Sequence, residues 1–278
     1  MKRLLSIELQ KIWMNKASRI LTLTYFVLLS FIALIAAIKF DIGPFKFHLA
    51  EMGIFNFPFI WHFNTYVAAW LKFFLAIVIV SMMANEYSYG TLKQNLIDGL
   101  SKKEFILSKF LTVVLFAFGS TVFVFIMSLL LGLSFSSYTE FGIIFSDLDY
   151  LLAFFVKLTG FFSFCLFLGI LVKRSAFALG FLLVWSIIEA IIRGTLAFKI
   201  FPNSDTEEKI TQFLPLESMS NLIANPGPRL SVIKNIGTQM GIETEGNFSV
   251  DYTGVLIVLV WSFVFIYFSY KLLKNRDL

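Results

Sequence analysis

The sequence predicts an all-α, polytopic membrane protein with six transmembrane helices, an N-terminal amphipathic helix, and both termini on the same side of the bilayer. Three observations carry that expectation. The 278 residues are 58% hydrophobic and 15% charged, with mean hydropathy +0.82, whereas soluble domains carry about 25% charged residues. Apolar runs close to the ~20 residues that span a bilayer core recur along the chain, and only six prolines are present to break them. Lys and Arg gather in alternate connections between those runs.

Residues 1–19 come first. Leu5, Leu9, Ile12 and Trp13 follow the i, i+4, i+7, i+8 template, while Lys2, Glu8, Lys11 and Asn15 occupy other faces. This predicts an interfacial elbow helix in which Trp13 and Lys11 anchor to membrane lipids at headgroup depth. The polar stretch and the length of the apolar run after it do not read as a cleaved secretory signal, so the first span is expected to persist. Spans are predicted at residues 20–38, 66–84, 110–133, 151–172, 176–196 and 253–270.

Residues 85–109 form a predicted hairpin between spans two and three. Leu92, Leu96 and Ile97 sit at helical spacing in a polar stretch, and Gly99 stands where a helix C′ glycine belongs. Ser101-x-x-Glu104 is a capping box that starts the next helix about two turns before lipid. Residues 197–252 are the one connection long enough for a small folded element, punctuated by Leu214-Pro215-Leu216 and Asn225-Pro226-Gly227-Pro228. Apolar-periodic pieces at 218–224 and 230–240 predict two short interfacial helices there.

Charge sets the expected orientation. Fourteen Lys and Arg flank the spans on one side and six on the other, with four of those six in the 197–252 loop. The positive-inside rule then puts the termini and the 85–109 hairpin in the cytoplasm, in a plasma (inner) membrane. A pI near 9.2 reflects this asymmetry rather than a nucleic-acid-binding stripe, so no nucleic-acid partner is expected.

Catalytic chemistry is missing. The lone cysteine, Cys165, lies in an apolar run and excludes sites built on paired thiolates. His48 and His62 lack metal-ligand spacing and read as interface histidines outside the spans. No Gly-x-x-x-x-Gly-Lys-[Ser/Thr] occurs, so any ATP and Mg²⁺ are expected on another chain, with no cofactor or metal on this one. Four ionisable residues fall inside predicted spans. Lys72 and Lys157 lie close enough to one end to snorkel, whereas Glu189 is deep, with Arg193 four residues on as its expected same-face partner. Glu189-x-x-x-Arg193 also resembles one motif of intramembrane CAAX-type proteases, but Ile188 replaces their second glutamate and their histidine motifs are missing.

Glu86-x-x-x-Gly90-Thr91-Leu92, followed by Ser101-Lys102-Lys103 and Lys109, resembles the cytoplasmic hairpin of type-2 ABC transporter permeases. The motif covers about 25 residues, while the six-span layout with an elbow helix and a larger loop before the last span covers nearly the whole chain. One departure is Leu100, where many members carry proline before the serine. The resemblance implies an exporter permease subunit for a hydrophobic or amphipathic substrate, paired with a second permease chain and two cytoplasmic ATPase subunits. It implies that Glu86, Gly90, Thr91, Leu92, Lys93, Leu96, Lys102 and Lys103 couple the ATPase to the spans. Two other readings stay open: a scaffold passing ATP-driven work to an extracytoplasmic protein, and a secondary transporter using Glu189.

Overall fold

The computed structural model describes residues 2–37, 39–42, 45–48, 53–138, 140–202, 206–229 and 248–276, without the side chains of 32, 33 and 35–48. The elements in order are α1 (Lys2–Met14), α2 (Lys16–Ala37), a hairpin of β1 (Lys39–Ile42) and β2 (Phe45–His48), α3 (Phe59–Trp70), α4 (Lys72–Ser88), α5 (Thr91–Ile97), α6 (Lys102–Phe135), α7 (Phe141–Ile144), α8 (Asp149–Val172), α9 (Ser175–Thr195), α10 (Thr206–Thr211), α11 (Pro215–Asn221) and α12 (Tyr252–Lys274). Among the described residues the fold is helical apart from the β-hairpin, which pairs antiparallel with Lys39 opposite His48.

α8 is the axle. In the α7–α8 segment 83% of the most apolar window is buried, against 28% in α6 and α12 and 17% in α9. α12, α4, α6 and α9 surround it. Its small residues set the spacing: a Cβ at Gly160 would stand 2.6 Å from Val258 Cγ1 of α12, and one at Gly169 3.0 Å from Met83 Cβ of α4. Small residues that let helix axes approach are how helices pack where lipid removes any hydrophobic gain.

The surrounding helices turn apolar side chains outward. Ile126 and Leu130 of α6, Ile187 and Ile191 of α9, and Val260 and Phe263 of α12 are all at least half exposed. An apolar exterior on that scale matches lipid, not water. Segments 102–135, 141–172, 175–200 and 252–274 are long and apolar enough to cross a membrane, and the α3–α4 pair makes a fifth if counted as one span. The protein is membrane-embedded.

Three expectations about elements change. The predicted span at 66–84 is part of a longer, broken rod: α3 and α4 meet at Leu71 with a 46° bend. Of the two predicted loop helices, that at 218–224 overlaps α11, which starts earlier, with the unpredicted α10 before it and a 3₁₀ turn at Gly227–Arg229 after it; the second, 230–240, lies outside the described residues. α9 runs on through a π-helical turn at Leu196–Ile200, beyond the predicted end. The remaining span predictions lie within or near α2, α6, α8, α9 and α12, although residue 38 is outside the described set.

Candidate functional site

The hairpin end of the bundle gathers the motif residues. α4 stops at Ser88, and the chain reverses through Gly90 at φ 68°, a left-handed conformation with no other heavy atom within 4 Å of where a Cβ would be. Backbone alone demands the glycine there. α5 follows, with Leu92 buried, Leu96 packed on the core, and Lys93 and Ile97 exposed. Gly99 closes it at φ 96°. The Ser101–Glu104 capping box then opens α6, both reciprocal hydrogen bonds being present.

Beneath α5 lies a buried cluster of two acids and two bases. Lys109 Nζ of α6 donates to Glu86 Oε1 of α4 at 2.5 Å and to Glu8 Oε2 of α1 at 2.6 Å. Lys11 Nζ of α1 donates to the same Glu86 Oε1 at 2.9 Å and stands 3.7 Å from Glu8. Glu86 Oε2 accepts from Thr91 Oγ1 at 2.5 Å and from Asn95 Nδ2 at 3.5 Å, both in α5. Glu86 therefore ties four helices together at one carboxylate. Lys109 has no exposed side-chain surface, and the two carboxylates facing it offset the cost of its burial. Burial pushes the Lys11 ammonium down, but the Glu86 hydrogen bond and the Glu8 charge outweigh that and hold it above its ordinary value. Beside the cluster, Lys11, Met14, Asn15, Met82, Asn85 and Tyr89 help line a cavity of about 340 Å³.

Two further basic residues strap the same end. Lys102 Nζ donates to the carbonyls of Lys274 and Arg276 at the end of α12. Arg276 in turn reaches the Ile170 and Leu171 carbonyls that close α8, and the Tyr87 hydroxyl of α4. Cations at carbonyl ends satisfy acceptors that a helix leaves open and complement its dipole. Lys102 and Arg276 thus link the start of α6 to the ends of α12 and α8.

The structure brings Glu86, Thr91, Leu92 and Leu96 together around the Gly90 turn and sends Lys102 to α12; Lys93 and Lys103 are exposed on this end. Of the two residues expected at the membrane surface, Lys11 bonds into the cluster and Trp13 is exposed. Sequence reasoning missed Glu8, having placed it only off the apolar face of the helix. The inward face of α1 is Glu8 and Ile12, and the Leu9–Trp13 side looks outward. A lone acid in an otherwise basic amphipathic helix was the available signal.

At the opposite end, the intramembrane charges find partners other than those expected. The Glu189–Arg193 pair does not form. Glu189 accepts from the backbone N–H groups of Leu216 and Glu217 and from Trp185 Nε1, and so caps the start of α11. Arg193 pairs with Glu217 at 2.7 Å. Lys157 does not snorkel: it is buried and donates to the Ser220 carbonyl near the end of α11. Lys72 Nζ sits 4.4 Å from the Phe161 ring centroid. α11 is thus gripped at both ends by charges on α8 and α9 that match its dipole, with Met219 buried against Gly160. His62 is fully buried, stacked on Tyr150 at 4.3 Å. The His48 side chain lies outside the described residues.

Among the described residues no group of His, Cys, Asp and Glu is arranged to hold a metal ion. No curated protein matches the chain. A family model described as a protein of unknown function, DUF2705, matches residues 25–278, which is nearly the whole chain. The chain belongs to the DUF2705 family.

Proposed function

We propose that this protein is the membrane subunit of an ATP-driven transporter, a permease of the type-2 ABC kind that receives its motion at α5 from a separate cytoplasmic ATPase. The observation that carries the reading is the Glu86 cluster, which fixes a short exposed helix rigidly to α1, α4 and α6 at once. A loop that merely joined two spans would need no buried charge network beneath it. Lys93, Ile97 and Lys103 give α5 and its flank an exposed basic and apolar face for a soluble partner.

In this reading α2, α3–α4, α6, α8, α9 and α12 are six spans. The termini and α5 face the cytoplasm across the plasma membrane, as the Lys and Arg asymmetry supports. A second permease chain completes the pathway, and ATP and Mg²⁺ stay on two ATPase subunits. ATP-driven closure of those subunits pushes α5, the cluster passes the displacement to α1, α4 and α6, and Lys102 and Arg276 carry it to α12 and α8. Packed helices respond as rigid bodies between discrete arrangements. The cargo is hydrophobic or amphipathic, in keeping with the apolar bundle.

The test is affinity purification of the tagged full chain from its native membrane in mild detergent. An ABC-type ATPase should co-purify, its turnover in liposomes should depend on this chain, and Gly90→Trp should abolish that dependence while membrane insertion persists. Recovery of the chain without any ATPase, or labelling of a Gln94→Cys variant from outside intact cells by an impermeant reagent, overturns the proposal.

A further inference from the structure

His62 occupies an unusually constrained site at the end of the bundle opposite α5. Its Nε2 lies 2.8 Å from the Ala224 carbonyl oxygen, and its Nδ1 lies 3.1 Å from Arg229 Nη1. A carbonyl can only accept and a guanidinium can only donate, so both contacts are hydrogen bonds in one state alone: the neutral imidazole with its proton on Nε2. The Arg229 guanidinium sits 5.1 Å from the Phe59 ring centroid and 5.8 Å from that of Phe248, and Nη1 also reaches the Tyr150 hydroxyl at 3.3 Å. Tyr150 stacks on His62 and donates to the Phe248 carbonyl.

These contacts fasten the segment from Ala224 to Arg229 onto α3 and α8. The preceding helix, α11, is held separately by Glu189 and Lys157. The other ionisable groups near His62 are Tyr150 of α8 and Asp147 and Asp149 at the start of that helix; α3 itself adds only Tyr66. Asp147 and Asp149 favour a cation nearby, but Arg229 already supplies one in direct contact.

We infer that His62, Arg229 and Tyr150 form a proton-sensitive latch, which holds residues 224–229 against the bundle while His62 is neutral and releases them when it is protonated. Protonation places an N–H on Nδ1 directly against Arg229 Nη1, replacing a hydrogen bond by two opposed donors that both carry positive charge. Arg229 is the group free to leave, since His62 is fixed within α3 by packing on all sides. Histidine is the side chain whose charge changes most readily over the physiological pH range. The latch operates whatever the bundle transports.

The experiment places spin labels at Asn225→Cys and Tyr138→Cys in a Cys165→Ser background and measures their separation by pulsed EPR in nanodiscs between about pH 8 and about pH 5. A single distance at the higher pH, joined by a longer one that becomes the main population at the lower pH, is the expected result. His62→Gln, whose amide can donate to Ala224 and accept from Arg229, should stay at the short distance throughout. Arg229→Gln should show the long distance at both pH values. A distance distribution that does not change with pH in the parent protein, or one that changes equally in His62→Gln, overturns the inference.

Discussion

Lys109 carries its charge without exposed side-chain surface, and two carboxylates from different helices share it. Replacing it by Met leaves Glu8 and Glu86 buried beside each other with only Lys11 between them, at a cost of about 3–5 kcal/mol. Thermal unfolding of the detergent-solubilised full chain should register that loss. The Lys109→Met, Glu86→Gln double variant should lose less than the two singles added together, because the residues form one network. Glu189 and Arg193 should behave differently from each other. Glu189→Ala strands two N–H groups of α11 and should cost roughly 1–3 kcal/mol, whereas Arg193→Gln breaks a half-exposed pair and should cost less than about 1 kcal/mol. A mutually compensating pair on one helix face would instead give two comparable losses. The depth of Glu189 marks it as anomalous from sequence alone. Its partner is not legible there, because the i, i+4 rule weighs only its own helix, and the N–H groups of α11 arrive from 27 residues away.

Elements whose boundaries are set by their own residues were the legible ones. The Ser101 capping box and the Gly99 terminus both come from backbone needs within a few positions. The α3–α4 bend at Leu71 carries no proline or glycine at the break, and nothing in the local pattern announces it. α12 offers a direct test of local capping. Asp251 accepts from the Thr253 hydroxyl, against a small burial cost, and from the Thr253 and Gly254 N–H groups, which together hold its carboxyl below the ordinary aspartate value. A depressed folded value contributes stability above the unfolded value and loses it as pH falls through the folded one. Asp251→Ala should therefore cost about 1 kcal/mol at neutral pH, and parent and variant should converge in acid below the ordinary aspartate range, as read from unfolding midpoints.

For the molecule as a whole, membrane character and most helix positions follow from hydropathy, but the arrangement around α8 does not. α8 and α9 have nearly the same hydropathy, yet one is enclosed and the other largely bare. Neighbours decide this, and hydropathy does not report neighbours. The proposed topology predicts that, in a Cys165→Ser background, Ser137→Cys reacts with an impermeant thiol reagent in intact cells, while Lys103→Cys reacts only after the membrane is opened. The reverse pattern would turn the bundle over and remove α5 from the reach of a cytoplasmic ATPase.

Because α8 touches its own chain on nearly every side, it has little freedom to change. Exchange of one aliphatic side chain for another should be tolerated along the bare face of α9 and punished along α8, where each added methylene meets an occupied site. Natural variation within the family should consequently be lowest in α8, near Gly160 and Gly169, and highest on the lipid side of α9. Any contact that this chain makes with a second membrane subunit must use the peripheral rods, since the central one is already spoken for.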